Sequence, residues 1–146
     1  MGLIYSEKHS STYGMIHILS IAAEDSTSEA DYPVPIEEEE QLAAFALGGV
    51  QVGTVNETKI QMSVYLGKTE LEASTWCFIR TGEIQVSKKG ILEVGNSLSS
   101  QSMAKLALTP GNYSVSVYTD TGIADTTHKV AFVLEKIKEC PQSSQT

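Results

Sequence analysis

Apolar and polar residues alternate with a period of two through the middle of the chain. Between residues 58 and 66 the apolar positions are Ile60, Met62, Val64 and Leu66. Successive side chains of a β-strand point to opposite faces, so this pattern predicts a strand with one buried face.

The same alternation, or a short apolar run between turn residues, recurs along the chain. It predicts further strands over residues 13–21, 50–55, 75–79, 83–86, 91–94, 103–108, 113–119 and 129–137. Short strands spaced about ten residues apart favour two packed sheets over a βαβ arrangement. The predicted fold is mainly β: a jelly-roll-like, antiparallel two-layer β-sandwich of eight to nine strands with one short helix.

Turn residues predict how neighbouring strands pair. Asn56-Glu57 would join residues 50–55 to 58–66, and Lys88-Lys89-Gly90 would close a hairpin. In Thr109-Pro110-Gly111-Asn112, proline sets the first turn angle and glycine supplies positive φ, which predicts a type II turn within another hairpin. Gly82 is interpreted as one more turn, between residues 75–79 and 83–86.

One segment has helical signals. Pro35 suits the first turn of a helix, the acidic run Glu37–Glu40 suits the positive end of a helix dipole, and Gly48-Gly49 would end it. These features predict a helix over Ile36–Leu47.

The length of 146 residues suits one domain. We predict a single sandwich domain over residues 1–139 and a flexible tail over residues 140–146. No run of about eighteen apolar residues occurs, and residues 1–11 have no signal-peptide pattern. The expected protein is therefore cytoplasmic and does not cross a membrane.

The net charge of −8 is unevenly distributed. Residues 1–57 contain ten acidic residues and one basic residue, whereas residues 58–146 contain eight acidic and nine basic residues. An acidic field repels nucleic-acid phosphates and attracts basic proteins, so we predict a basic protein partner and no direct nucleic-acid binding. The candidate partner-binding residues are Glu24, Asp25, Asp31, Glu37, Glu38, Glu39 and Glu40.

Signatures of catalysis and metal binding are missing. His9, His17 and His128 are too far apart in sequence to form a preset metal shell, and His17 falls inside a predicted strand. Cys77 lies between Trp76 and Phe78, a setting typical of a small buried hydrophobic residue. We therefore predict no catalytic residues, no metal site and no cofactor.

Two other functions stay open. Asp120 with Asp125 at one loop, or Glu24, Asp25 and Asp31 at another, could bind Ca²⁺, and a sandwich could instead bind lipid or carbohydrate. Tyr65, Tyr118 and Trp76 would provide aromatic anchors if exposed on one sheet face, although core packing is the expected place of Trp76. An enzyme with a carboxylate or Cys77 centre is the remaining alternative.

From the predicted helix onward, the order of features resembles the bacterial competence protein J family, small acidic inhibitors of a DNA-entry nuclease. The resembling stretches are Glu37–Val55, Asn56–Leu66 (NETKIQMSVYL), Glu83–Val94 (EIQVSKKGILEV) and Leu106–Thr119 (LALTPGNYSVSVYT). These are strand and turn patterns, so the resemblance assigns no functional residue. It implies a bacterial, cytoplasmic nuclease inhibitor or immunity-type protein. We expect a non-enzymatic protein, and a homo-oligomer is compatible with this expectation.

Overall fold

The computed structural model describes residues 2–11, 14–20, 42–46, 48–95 and 104–137. Within these ranges the chain forms ten strands and a short 3₁₀ turn at Ala124–Thr126. The strands are β1 (Gly2–Ser10), β2 (Met15–Ser20), β3 (Ala44–Ala46), β4 (Gly49–Gly53), β5 (Lys59–Leu66), β6 (Cys77–Val86), β7 (Ile91–Gly95), β8 (Ala104–Ala107), β9 (Gly111–Thr119) and β10 (Lys129–Lys136).

The ten strands form two sheets of five. Sheet A has the order β1-β5-β10-β9-β6, and sheet B has the order β3-β4-β2-β7-β8. Neighbouring strands are antiparallel except β5 and β10, which are parallel. The predicted mainly β sandwich is confirmed. The parallel pair was not predicted, because it joins strands far apart in the chain and leaves no local signal.

The core lies between the inward faces of the two sheets. The alternation in β5 is confirmed, since Ile60, Met62 and Val64 are fully buried. Phe132, on the central strand of sheet A, belongs to the same buried cluster as Ile18 of sheet B. Fully burying a side chain of this kind contributes about 1.5–3 kcal/mol, so these strands provide most of the driving force for folding.

The helix predicted over Ile36–Leu47 is wrong at its C-terminal end. Residues 36–41 and 47 lie outside the described residues, but Ala44–Ala46 is strand β3 and pairs with β4. The half-buried ring of Phe45 packs against the core from this edge. Pairing with β4 and contact with the core override the local helical preference of an alanine-rich segment.

Turns form at residues 56–57 and 88–90 and the chain bends at Pro110, but the three predicted hairpins are wrong, because the strands on either side of each connection do not pair. Gly90 and Gly111 both have positive φ, and the amide of Gly90 donates to the carbonyl of Ser87 at 2.9 Å. The Tyr113 hydroxyl donates to the Thr109 carbonyl at 2.7 Å across the bend at Pro110. Yet β4 and β5, β6 and β7, and β8 and β9 lie in different sheets. A reversal between layers of a sandwich uses the same turn residues as a hairpin, so local sequence does not distinguish them.

The turn predicted at Gly82 is wrong. Strand β6 continues through this position from Cys77 to Val86, with a register irregularity between Phe78 and Arg80. Glycine inside a strand often marks a close approach of another group, and here that group is the ring of Phe45.

The edge strand β1 was not predicted. Its alternation is interrupted at Leu3, Ile4 and Tyr5, where the pairing with β5 shifts register. A bulge puts an extra residue into the strand and so obscures the period of two.

Candidate functional site

All seven acidic residues predicted to bind a partner lie outside the described residues, within positions 21–41. The described residues on either side of this segment show where it leaves and rejoins the sandwich. We call residues 21–41 the acidic segment; it contains eight acidic residues and no basic residue.

The sandwich holds both ends of the acidic segment through hydrogen bonds. At the first end, the Ser20 amide donates to the Gly48 carbonyl at 2.7 Å, and the Ser20 hydroxyl accepts from the Ser87 amide at 2.9 Å. At the second end, Ala43 is fully buried and its carbonyl accepts from Nη1 of Arg80 at 2.9 Å. The Arg80 guanidinium also lies 5.5 Å from the centre of the Phe45 ring.

These two ends are close together in sheet B. Ala44 is in register with Gln51, and Gln51 is in register with His17, three residues before Ser20. Two strand spacings and three residues along a strand separate Ser20 from Ala44 by roughly 14 Å. The described residues on either side of the acidic segment therefore lie in the same sheet.

A second surface feature is the outer face of sheet A, where two neighbouring rows of side chains cross all five strands without a charge. The register of the strands defines both rows. The first row is Ser6, Ser63, Ala131, Tyr118 and Phe78. The second row is Leu3, Tyr65, Val133, Ser116 and Thr81. We call these ten residues the neutral band.

Exposed apolar side chains lie at both sides of the neutral band. Phe78 is 57% exposed and Leu3 is 54% exposed, whereas Ala131 and Val133 on the central strand are buried. The rings of Phe78 and Tyr118 meet edge to face with centroids 5.5 Å apart. The chain between Leu66 and Cys77 has to cross this face, because β5 and β6 are parallel strands of the same sheet with β10 and β9 between them.

Opposite charges lie beyond the two rows on the central strand. Lys129 precedes the first row and Glu135 follows the second, and both side chains are exposed. On neighbouring strands, Lys8 is in register with Gln61 at the lysine end, and Glu83 is in register with Ser114 at the glutamate end. The neutral band thus has a basic end and an acidic end.

The proposed aromatic anchors divide into two groups. Tyr65 and Tyr118 are both half-buried on the outer face of sheet A, in agreement with the expectation of a shared face. Trp76 precedes β6 and is also half-buried rather than part of the core. Sequence reasoning missed Phe78 as an exposed residue and missed Leu3 altogether. Recognising β1 as a strand would have identified Leu3.

The three histidines have separate environments. His17 is fully buried in β2, and burial lowers its pKa to about 4. His9 is buried, and its Nε2 is hydrogen-bonded to the hydroxyl of Tyr5. Burial and the nearby Glu7 carboxylate raise the pKa of Tyr5. His128 is exposed in the loop that follows β9.

Cys77 is exposed at the start of β6, so the expectation that it would be a buried hydrophobic residue is wrong. Cys77 begins the edge strand β6 beside the loop at Gly122. A Cβ atom added to Gly122 would lie 3.7 Å from the Cys77 Sγ atom. Its thiol lies 3.9 Å from the Asp120 carbonyl.

In the loop that contains Asp120 and Asp125, which was a candidate for binding Ca²⁺, one carboxylate is hydrogen-bonded within the loop. The Asp120 carboxylate accepts from the His128 amide, with oxygen distances of 3.1 and 3.3 Å. Thr127 adds a hydrogen bond from its hydroxyl to the Ile123 carbonyl at 2.8 Å. Among the described residues, no group of three or more His, Cys, Asp or Glu side chains could hold a metal ion.

In the part of the chain that the structure describes, no helix is long and apolar enough to span a membrane.

Comparison with known proteins identifies the fold and not a sequence family. No protein-family model matches the chain, and no curated protein matches it in sequence. Two solved structures do match in shape. One is ComJ from Bacillus subtilis, described as an inhibitor of the DNA degrading activity of NucA, with a TM-score of 0.67 and 17% identity over 94% of this chain and 99% of that one.

The other solved structure is described as crocagin biosynthetic gene J. It has a TM-score of 0.57 and 14% identity, and the match covers 94% of this chain and 98% of that one. The resemblance to the competence protein J family is therefore confirmed at the level of the fold, over nearly the whole chain.

Proposed function

We propose that this protein is a non-enzymatic binding module that neutralises a basic protein partner, in the manner of a nuclease inhibitor or an immunity protein. The observation that carries the proposal is the concentration of eight acidic residues in the acidic segment, whose two ends the sandwich holds. A single domain over residues 1–139, a tail over residues 140–146 and a cytoplasmic location accompany this proposal.

The charge distribution supports a basic partner. The acidic segment contributes −8, and the remaining residues together are neutral, since the whole chain carries −8. Complementary charge mainly accelerates the encounter of two proteins and excludes partners of the same sign. The groove of an enzyme that binds DNA has the positive potential that such a segment would complement.

The position of the anchors supports a defined binding region. Arg80 of sheet A holds the carbonyl of Ala43, three residues after Glu40. A long chain fixed at both ends loses less conformational freedom on binding than one fixed at a single end. Arg80 therefore lowers the entropic cost of presenting Glu37–Glu40 to a partner.

The similar fold supports a nuclease among the basic partners. ComJ is described as an inhibitor of the DNA degrading activity of NucA, and its fold matches 94% of this chain. That role belongs to ComJ. For this protein, it suggests which class of enzyme to test first.

The experiment is capture from an extract of the source cell, with this protein immobilised, at about 0.05 M and about 0.5 M salt. Captured proteins are identified by mass spectrometry, and each is assayed for DNA cleavage with and without added protein. We expect a basic nuclease to be captured at low salt, to be released at high salt and to be inhibited.

A matched pair of variants tests the carboxylates. The first variant changes Glu37, Glu38, Glu39 and Glu40 to Gln. The second neutralises four exposed carboxylates elsewhere, with Glu70→Gln, Glu72→Gln, Glu83→Gln and Asp125→Asn. Both remove the same charge, so only the first should slow association by tenfold or more at low salt. Equal loss in both variants, or capture that does not respond to salt, would contradict the electrostatic mechanism.

A further inference from the structure

We propose that residues 32–36 of this chain (YPVPI) dock across the outer face of sheet B and cover His17. The residues beneath them come one each from four neighbouring strands: Ala44, Gln51, His17 and Gly95. We call these four residues the outer row. The docking itself does not depend on a partner; only the use of the flanking carboxylates by a partner rests on the proposed function.

The connectivity of sheet B requires a crossing chain. Strands β2 and β3 are both antiparallel to β4, which lies between them, so β2 and β3 are parallel to each other. Parallel strands are joined by a crossover connection rather than by a tight turn. Residues 21–43 make this connection, and the core fills the inner face of the sheet. The connection therefore passes either over the outer face or around the outside of the edge strand β3.

The burial of His17 distinguishes these two paths. His17 alternates with Ile16 and Ile18, which belong to the core, so its side chain lies on the outer face. It is nevertheless 0% exposed, and Ala44 in the same row is 3% exposed. A chain outside β3 would not reach His17, which is two strands in from that edge. The cover therefore lies over the outer face itself.

The described residues of sheet A show the same arrangement. Strands β5 and β6 are parallel, with β10 and β9 between them, and residues 67–76 cross the outer face to join them. On β10, which this connection crosses, Ala131 is 0% exposed and Val133 is 6% exposed. A crossing chain thus buries the central residues of one outer face, and this supports a crossing chain as the cover of His17.

Two other segments outside the described residues are less suited to cover His17. Residues 96–103 join β7 to β8, which are paired antiparallel neighbours and need only a turn at the end of the sheet. Residues 138–146 follow β10, which belongs to the other sheet. On β8, the outward Lys105 and Ala107 are exposed, so the cover ends before that strand.

The composition of residues 32–36 suits this position. They are the longest uncharged run of the acidic segment. A chain that crosses the face of a sheet cannot pair its backbone N–H groups with the strands below, and Pro33 and Pro35 have no N–H. Each proline also favours extended backbone in the residue before it. Five residues of such backbone span about 15 Å, and the three strand spacings of the outer row span about 14 Å.

The carboxylates on both sides of this run stay in water. Burying a carboxylate without a partner is costly, which excludes charged residues from the cover. Four acidic residues of the acidic segment precede residues 32–36, and four follow at Glu37–Glu40. Docking of the uncharged run therefore places four carboxylates on each side of the outer row, at the surface of sheet B.

The first experiment measures nuclear Overhauser contacts of the His17 ring in the isotope-labelled full chain at pH 7. Apart from contacts with its neighbours in sheet B, we expect the ring to contact side chains among Tyr32, Val34 and Ile36. A ring whose other contacts are all with residues outside 32–36 would overturn the proposal. So would a ring that contacts only its neighbours in the sheet.

The second experiment joins the run to the outer row by a disulfide bond, in a background of Cys77→Ser and Cys140→Ser. Gln51→Cys is combined in turn with Tyr32→Cys, Val34→Cys and Ile36→Cys. A disulfide requires Cα atoms within about 7 Å. Under mild oxidation of the folded protein, at least one of the three pairs should close about tenfold faster than the control pairs below.

The control pairs test the alternative covers. Ala107→Cys is on the outer face of the exposed strand β8 and is combined with the same three partners. Gln51→Cys with Gln101→Cys tests residues 96–103. Slow closure of all three pairs in the run, or faster closure with Gln101→Cys, would overturn the proposal. Neither experiment involves a partner, so the capture experiment described above can fail while the docking holds, and the reverse.

Discussion

The ring of Phe45 in β3 lies against Gly82 in β6, so closely that a Cβ at position 82 would be 2.5 Å from the Cδ2 atom of the ring. This contact joins an edge of sheet B to an edge of sheet A. It also explains why glycine occupies the interior of a ten-residue strand.

Gly82→Ala should destabilise the protein because the Phe45 ring must move from its place on the core. We expect the free energy of unfolding to fall by about 1–3 kcal/mol, as for other overpacked sites. Urea denaturation measures it. Gly48→Ala is the control, since a Cβ there would be 3.9 Å from the nearest atom and should change little. A neutral Gly82→Ala would show that the ring moves away without cost.

Arg80→Ala should remove the hydrogen bond to the Ala43 carbonyl and the contact with the Phe45 ring. The bond is 2.9 Å long and lies at a partly exposed edge, so we expect a loss of about 1 kcal/mol in the free energy of unfolding. Lys88→Ala, in an exposed turn, should cost nothing measurable. A change at Arg80 as small as that at Lys88 would show that the guanidinium does not hold this edge.

Ser11→Ala should lower the free energy of unfolding markedly, although it removes only one hydroxyl group. The Ser11 side chain is fully buried, its one hydroxyl proton is shared between the Val55 and Thr58 carbonyls, and its oxygen accepts from the Thr58 amide. Removing a buried partner that satisfies backbone groups costs about 1–3 kcal/mol. Ser6→Ala, at an exposed serine, should cost less than about 0.5 kcal/mol. Thermal unfolding of both variants provides the comparison.

His17 should make stability depend on pH in the mildly acidic range. Burial lowers its folded-state pKa to about 4, whereas the unfolded chain has the ordinary value of about 6.5. Below pH 6.5 the unfolded state takes up a proton that the folded state does not, so stability falls as the pH falls towards 4. Linkage predicts a loss of about 2 kcal/mol between pH 7 and pH 5.

Urea denaturation at pH 7, 6 and 5 tests this dependence with His17→Gln and His128→Gln. The first variant should flatten the pH dependence, whatever its own stability at pH 7. The second alters an exposed histidine and should leave the slope unchanged. An unchanged slope in His17→Gln would mean that another group controls the loss.

The alternation of residues was sufficient to predict the class of fold and most strand positions. Strands predicted at 58–66, 113–119 and 129–137 correspond to β5, β9 and β10. Burying alternate side chains is a local requirement, so each strand carries its own signal. The uneven charge is likewise a property of the sequence, and it supports the proposed acidic partner surface.

Contacts between residues far apart in the sequence determined the features of the fold that the local pattern did not predict. Pro110 and Gly111 signal a change of chain direction, but only the packing of two layers determines that β8 and β9 separate into different sheets. Gly82 and Ala44–Ala46 gave turn and helix signals that the Phe45 contact overrides. The neutral band combines residues from five strands, and no window of sequence contains it, because the register between strands places Leu3, Tyr118 and Phe78 on one face.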